Sequence, residues 1–255
     1  MNIKPVTPIQ SENAALGDEM PLLNSNLDTI AGELGAEAEA AELLDVVRDF
    51  LALMGLLDSR LGVDGVVLGA EAGLAADHAL LCLGELDAVL GRRNLSHLKS
   101  VLHTLTLGIG LWALRHRCDI STLEPIANAL AERANDATSR QEVAAAYGMM
   151  QGFIDYLQPR QDAAKDRSDP MRPWRLLNLN FAISGIRSGD ELLMRFAFDR
   201  LNANLPEDCA DFYADALLMA EESGLPEEIV SLIRTQAHTW TSAHQTGDNA
   251  GLSGS

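Results

Sequence analysis

The sequence predicts an all-α protein, and three observations carry that prediction. Alanine and leucine dominate the apolar residues of the 255-residue chain, of which only 5% is aromatic, and this composition favours helices over sheets. Apolar residues recur at spacings of three and four, as on one face of a helix. Helix-start signals separate those stretches. We therefore predict about eight or nine helices in stacked antiparallel pairs, as a helical bundle or an α-solenoid-like array, with flexible termini.

The first predicted helix covers residues 36–61. Its apolar side chains have the spacing of an amphipathic helix face. They are Leu43, Val46, Val47, Phe50, Leu51, Met54 and Leu57. The residues before it, 1–26, include three prolines among polar residues. This segment has too little apolar surface to offset its ordering entropy, so we predict a disordered N-terminal tail.

A glycine-bounded apolar run, residues 62–69, follows the first helix. Its length suits a single strand, but no second strand is predicted elsewhere to pair with it. Because unpaired backbone groups at a buried edge are costly, we predict a loop packed against the helices. The next helix is predicted to start at Glu71 and to end at the Gly-Arg-Arg-Asn sequence of residues 91–94.

A helix predicted from Leu95 to His116 carries the most regular apolar seam of the chain. The seam residues are Leu95, Leu98, Leu102, Leu105, Ile109, Trp112 and His116. Such a seam packs against neighbouring helices at shallow angles, so we place this helix at the centre of the core. Gly108 and Gly110 weaken the helix by about 1 kcal/mol each relative to alanine, a cost that is usually offset where a neighbour approaches closely.

Local start signals divide the rest of the chain into helices. Three serine–glutamate pairs have the spacing of a capping box, namely Ser121 with Glu124, Ser139 with Glu142 and Ser188 with Glu191. Pro206 and Pro226 mark two further starts, since proline in the first helical turn loses no hydrogen bond. The resulting predicted helices are 122–136, 140–158, 174–186, 189–204, 207–222 and 226–244.

The polar segment 159–170 divides the predicted helices into two regions. It lacks apolar periodicity and ends in Pro170, which is typical of a linker or an exposed loop. We predict an N-terminal helical region over 27–158, a C-terminal helical region over 171–245 and a disordered tail over 246–255. Helix pairs recur about every 35 to 45 residues, a spacing also found in α-solenoids, but no repeat motif accompanies it.

The charge of the chain restricts its partners. Thirty-seven acidic residues against 19 basic ones leave a net charge of −18, which repels polyphosphate and anionic lipid. We therefore expect no nucleic-acid partner. The most apolar stretch, 95–114, carries His97, Lys99 and His103, so we expect no membrane insertion.

The cysteines and the N-terminus indicate the compartment. Cys82, Cys118 and Cys209 are odd in number and far apart, which is typical of reduced thiols. The N-terminal segment lacks the apolar core of a secretory signal. We expect a cytoplasmic protein.

One candidate site is a metal centre between two consecutive helices. His78 and Cys82 are four residues apart and share a helix face, and His97 and His103 follow on the next helix. If the helices form an antiparallel hairpin, these side chains can ligate one transition-metal ion, with His116 and Cys118 as later candidates. The other interpretation is structural, with His78 and Cys82 at a helix interface and His97 and His103 on a polar face.

A second candidate site surrounds a tryptophan at a predicted helix start. Two guanidinium groups and an indole precede a helix that carries two asparagines, and this set is suited to holding a partner or to joining the two helical regions. Its residues are Arg172, Trp174, Arg175, Asn178, Asn180 and Arg187. We expect at least one of the asparagines to be a buried amide bonded to a backbone group.

No sequence motif names a reaction. The chain lacks a nucleophile elbow, a phosphate-binding loop and the HExxH pattern. We therefore predict a non-enzymatic protein-interaction module, such as an adaptor, assembly factor or regulatory subunit, that needs no cofactor and binds a protein partner. The acidic surface suits a basic partner. The alternative is a metal- or cofactor-dependent enzyme or sensor that uses the His/Cys site.

Overall fold

A computed structural model describes residues 20–35, 38–62, 65–67, 69–161 and 173–251. Every regular element within these residues is helical: ten α-helices and two 3-10 turns. The predicted all-α class is confirmed, and the helices pack in adjacent pairs. Residues 65–67 of the glycine-bounded run form a loop. The backbone N–H of Val67 in that loop donates to the carbonyl oxygen of His116 at 3.1 Å.

The helices follow one another with short connections. In chain order they are α1 (Met20–Leu34), α2 (Ala38–Leu61), α3 (Glu71–Arg92), α4 (Lys99–Arg115), α5 (Glu124–Asp136), α6 (Arg140–Gln161), α7 (Pro173–Ser188), α8 (Glu191–Asn204), α9 (Cys209–Glu222) and α10 (Glu227–Gly251). A 3-10 turn, Ser96–Leu98, precedes α4, and another, Pro206–Asp208, precedes α9.

Helix α1 corrects the predicted N-terminal tail. The helix begins at Met20, so the last residues of the segment 1–26 are helical. Its buried side chains are Leu23, Leu27, Ile30 and Leu34, which recur at helical spacing. Pro21 lies in the first turn, where its missing N–H costs no hydrogen bond, so it helps to start this helix. Residues 1–19 lie outside the described part of the chain.

The chain divides into two compact units, Met1–Leu177 and Asn178–Ser255. The division falls inside α7, beyond the linker predicted at 159–170. Helix α6 continues to Gln161, so the first residues of that linker are helical, and 162–172 lie outside the described residues. Helix α10 continues to Gly251 and therefore enters the predicted tail 246–255.

Helix α4 is the centre of the first unit, as its apolar seam predicts. It packs against α1, α3, α5 and α6. A β-carbon at Gly108 would lie 2.6 Å from Leu23 Cδ2, and one at Gly110 would lie 2.9 Å from Ile126 Cδ1. Both distances are shorter than atomic contact allows. The two glycines therefore let α1 and α5 approach α4 closely, which offsets their low helix propensity.

A charged cluster around the partly buried Asp58 joins the C-terminal end of α4 to α2. Asp58 Oδ1 accepts from Trp112 Nε1 at 2.9 Å and pairs with His116 Nε2 at 2.8 Å. Arg115 Nη2 lies 3.4 Å from Asp58 Oδ2. The other ring nitrogen of His116, Nδ1, contacts the carbonyl oxygen of Gly65. One carboxylate thus binds three donor side chains. Of these, the side chains of Arg115 and His116 are 4% and 0% exposed.

A half-buried amide, that of Asn202, has the equivalent role in the second unit. Asn202 Oδ1 accepts from the Tyr213 hydroxyl at 2.8 Å, from Trp240 Nε1 at 3.1 Å and from Cys209 Sγ at 3.4 Å. Its Nδ2 donates to Gln236 Oε1 at 3.1 Å. This network connects α8, α9 and α10. Burial raises the pKa of the Cys209 thiol to about 12 and raises the pKa of Tyr213, so both remain protonated donors at neutral pH.

One of the three predicted capping boxes forms. The backbone N–H of Glu142 donates to Ser139 Oγ at 3.2 Å, and the backbone N–H of Ser139 donates to Glu142 Oε2 at 2.9 Å. The other two predictions are wrong. Helix α5 has no side-chain cap, and α8 is capped by Asp190, which accepts from the backbone N–H groups of Leu192 and Leu193.

The capping box at α6 makes stability depend on pH. Backbone N–H donors of Thr138 and Ser139 lower the pKa of Glu142 from 4.5 to about 2. A depressed pKa means that the carboxylate contributes stability above pH 4.5 and loses that contribution as the pH falls towards 2. We expect Glu142→Gln to be less stable than the wild type at pH 7, with the difference vanishing near pH 2.

Thermal unfolding across this pH range measures that difference. Asp49→Asn is the control, because Asp49 is an exposed residue of α2 outside the capping box. A difference between wild type and Glu142→Gln that stays constant from pH 7 to pH 2 would contradict the assignment.

Candidate functional site

A groove of about 700 Å³ lies between α3, α4 and the start of α5 in the first unit. Its position depends on the segment that precedes α5, which lies across α3. A β-carbon at Gly73 would lie 2.2 Å from the carbonyl oxygen of Asp119, so only glycine lets the segment pass. The Asp77 carboxylate then accepts from the backbone N–H groups of Ser121 and Thr122 at 2.8 Å and 2.7 Å.

The same contacts explain why Ser121 does not cap α5. Its hydroxyl donates to Asp77 Oδ2 at 2.8 Å, so a carboxylate of α3 takes the place of Glu124 as its partner. The groove edge is therefore held by a hydrogen-bond set between residues more than forty positions apart.

The groove is lined by apolar side chains from three sides. Gly84 of α3 faces Pro125 at the start of α5, and a β-carbon at Gly84 would make an ordinary contact of 3.4 Å with Pro125 Cγ. The apolar lining residues include Leu81, Leu83, Ala88, Leu102, Leu123, Pro125 and Pro173. Leu81 is 54% exposed, and Leu74, two turns earlier on the same face of α3, is 66% exposed. Exposed apolar side chains thus recur on this face of α3, with the exposed His78 between them.

The charged groups of the groove are acidic. Glu85, Asp87 and Glu124 line it, and its described lining contains no lysine or arginine. Lys99 Nζ lies 3.5 Å from Asp87 Oδ1, an ion pair longer than a good hydrogen bond. Glu85 and Glu124 have no ion-pair partner among the described residues. The groove therefore combines exposed apolar surface with carboxylates that lack counter-charges.

One histidine lies at the edge of the groove. His103 Nδ1 is 3.2 Å from Glu132 Oε2, and its ring also borders a smaller cavity of about 250 Å³ near Glu142. The glutamate neutralises a protonated His103, so this residue adds no net positive charge.

The predicted metal ligands do not form a cluster. His78 is exposed on α3 while Cys82 is buried on the same helix, and His97 is exposed in the 3-10 turn before α4. The part of the chain that the structure describes holds no group of three or more His, Cys, Asp or Glu side chains placed to bind a metal. Burial, with the nearby charge of Glu85, raises the pKa of the Cys82 thiol, which opposes the thiolate form that metals require.

The later metal candidates, His116 and Cys118, are both buried. His116 belongs to the Asp58 cluster. Burial raises the pKa of Cys118 to about 11, and the carbonyl oxygen of Cys118 accepts from the Tyr156 hydroxyl.

The predicted tryptophan site is only partly described. Arg172 lies outside the described residues. Trp174 and Arg175 are half-buried in the first turn of α7, in the first unit. Both residues interact with other parts of the chain. Their role in binding a partner stays a prediction.

The remaining members of that set belong to the second unit. Asn178 is 1% exposed, and its Oδ1 accepts from Asn204 Nδ2 at 2.8 Å. Asn178 is thus a buried amide, as expected, with the side chain of Asn204 as one of its partners. Its predicted bond to a backbone group stays a prediction. Asn180 is half-buried and Arg187 is exposed.

Sequence reasoning missed the groove, although α3 carries a signal for it. This helix has apolar residues on more than one face, because Leu74 and Leu81 lie outside its buried stripe. A helix with more apolar surface than its core contacts require is a candidate for a binding face. Gly73 and Asp77, which position the segment before α5 against α3, leave no such periodic signal.

The fold and groove define a class: an all-α protein with an open, acidic, partly apolar groove in its first unit. Comparisons of the chain with protein-family models, curated proteins and solved structures find no match. None of the described helices is both long enough and apolar enough to cross a membrane.

Proposed function

We propose that this protein is a non-enzymatic interaction module, acting as an adaptor, assembly factor or regulatory subunit, and that the groove binds a basic, partly apolar segment of a protein partner. The observation that carries the proposal is the combination of exposed apolar lining with Glu85 and Glu124, carboxylates that lack ion-pair partners among the described residues.

The two parts of the groove have different tasks in this proposal. Apolar side chains of the partner bury Leu81 and Leu123, and this burial supplies most of the affinity. Lysine or arginine side chains of the partner pair with Glu85 and Glu124, which selects basic over acidic segments. A volume of about 700 Å³ is sufficient for a few side chains of one docked helix rather than for a whole domain.

The charge of the whole chain supports the same kind of partner. A net charge of −18 attracts a basic segment before contact and accelerates its association at low ionic strength. Screening at high salt weakens that attraction. Binding through the groove is therefore expected to be salt-sensitive.

A paired capture experiment tests the proposal. The double variant Leu81→Ser plus Glu85→Lys is compared with the wild type in capture of partners from an extract of the native host. Both residues are exposed, so the melting temperature should change little. We expect the variant to bind the partner at least about tenfold more weakly than the wild type, a loss of about 1.4 kcal/mol of binding free energy.

The matched control is Asp49→Lys, which changes the net charge by the same amount on an exposed site of α2 outside the groove. It should capture the partner as well as the wild type does. Cross-linking followed by mass spectrometry should place a lysine- or arginine-rich segment in the groove. Equal capture by the groove variant, or an acidic cross-linked segment, would overturn the proposal.

A further inference from the structure

An exposed strip on α9 forms a second surface, in the second unit. Leu218 and Met219 are 60% and 67% exposed, while Tyr213 and Ala220 on the other side of the helix are buried. The strip consists of Asp211, Ala214, Asp215, Leu218, Met219 and Glu222, all of them exposed. Their spacings of three and four place them on one face of the helix.

The carboxylates of this strip lack counter-charges. Helix α9 contains no lysine or arginine, and Asp211, Asp215 and Glu222 have no ion pair within the described residues. The next acid differs: Glu221 Oε1 lies 3.0 Å from Arg234 Nη2, so its charge is compensated within the unit. The strip therefore presents two large apolar side chains between uncompensated negative charges.

We propose that the α9 strip docks a basic amphipathic helix of a protein partner. An apolar seam on that helix covers Leu218 and Met219, and lysine or arginine side chains flanking the seam reach Asp215 and Glu222. This arrangement follows the charge pairing that flanks the apolar seam in coiled coils. The surface is separate from the groove of the first unit and does not depend on the function proposed for it.

The charges of the strip also distinguish between possible occupants. In a symmetric contact between two copies of this chain, the same surface patch faces itself. Asp211, Asp215 and Glu222 would then face carboxylates of the second copy, and like charges across an interface are costly. A basic helix instead compensates the charge and buries the apolar pair at once.

A peptide titration tests the docking. The protein carries Leu81→Ser and Glu85→Lys, so that the groove does not contribute. The probe is a synthetic amphipathic helix of about 20 residues with a leucine seam flanked by lysines, and its comparison peptide has glutamates in place of the lysines. We expect the lysine peptide to bind at least about tenfold more tightly than the glutamate peptide, and to weaken as salt is added.

Two double variants of the strip, each with a control outside it, locate the bound peptide. Leu218→Ser plus Met219→Ser should weaken binding at least about tenfold. Leu192→Ser should leave binding unchanged, because Leu192 is 77% exposed on α8 of the same unit but lies outside the strip. Asp215→Lys plus Glu222→Lys should also weaken binding at least about tenfold, whereas Glu228→Lys, at an exposed position of α10, should not.

Three results would overturn the proposal. The first is the absence of binding, or equal binding of the two peptides. The second is binding that the strip variants do not change. The third is a concentration-dependent dimer of the free protein, seen by analytical ultracentrifugation, that Leu218→Ser plus Met219→Ser abolishes, because that result assigns the strip to a second copy of the chain.

Discussion

Asp58→Ala is expected to lower the free energy of unfolding by about 3–5 kcal/mol. Its carboxylate is the common partner of Trp112, Arg115 and His116 at the end of α4. The arginine side chain is 4% exposed and already has two nitrogens, Nε and Nη1, without hydrogen-bond partners among the described residues. Removing the carboxylate leaves a buried guanidinium with no compensating charge, and an uncompensated buried charge is more costly than a lost surface pair.

Chemical denaturation followed by circular dichroism measures this loss. Asp58→Asn keeps an oxygen acceptor for Trp112 but removes the charge. Its free energy of unfolding should therefore lie between that of Asp58→Ala and that of the wild type. Asp49→Ala should change stability by no more than about 0.5 kcal/mol. Replacing the arginine as well, in Asp58→Ala plus Arg115→Met, should recover part of the loss because no buried charge remains.

The cluster would be unimportant for stability if Asp58→Ala unfolded at the same denaturant concentration as Asp49→Ala. The alternative would then be that solvent compensates the guanidinium in the variant.

Asn202→Ala is expected to lower stability by about 2–3 kcal/mol. The amide oxygen is the acceptor for the Tyr213 hydroxyl and Trp240 Nε1, and Tyr213 is 0% exposed. A buried donor without an acceptor costs about 1–3 kcal/mol, and burial prevents water from reaching the tyrosine hydroxyl. Hydrogen exchange should show the loss of protection in α8, α9 and α10, the helices that the amide connects.

A matched pair of variants separates the amide from its neighbours. Gln236→Ala removes one partner of the Asn202 Nδ2 group and should cost no more than about 1 kcal/mol. Adding Tyr213→Phe to Asn202→Ala should recover part of the loss, because it removes the stranded hydroxyl. Equal stability of Asn202→Ala and Gln236→Ala would contradict a central role for the amide.

Most helices could be predicted because their signal is local. The spacing of Phe50, Leu51 and Met54 follows from one buried face of one helix, and α2 (Ala38–Leu61) agrees with the predicted 36–61. Helix α1 carries the same kind of signal in Leu23, Leu27 and Ile30. Pro21 is ambiguous in the sequence: among polar residues proline is typical of a disordered segment, whereas in a first helical turn it is compatible with a helix.

Helix caps were less predictable, since several side chains compete for the same donors. Ser139 and Glu142 have no stronger competitor nearby and form their box. At α8 the closer Asp190 accepts the backbone N–H groups instead, while the Ser188 hydroxyl donates to the Gly185 carbonyl oxygen at 2.6 Å. A serine–glutamate spacing therefore predicts a helix start more reliably than it predicts which residue caps it.

By itself, the sequence determined the all-α class, the central place of α4 and the acidic charge of the chain, because composition and local spacing suffice for each of them. Only the tertiary structure decided where the groove lies. Its walls meet through the contacts of Gly73 with Asp119, of Asp77 with Ser121 and of Gly84 with Pro125. Each of these contacts joins residues about forty positions apart, and the local patterns that predict helices carry no information about contacts over that distance. The predicted metal site failed for the same reason. His78 and His103 lie on consecutive helices, but the rotation and packing of those helices decide which side chains meet.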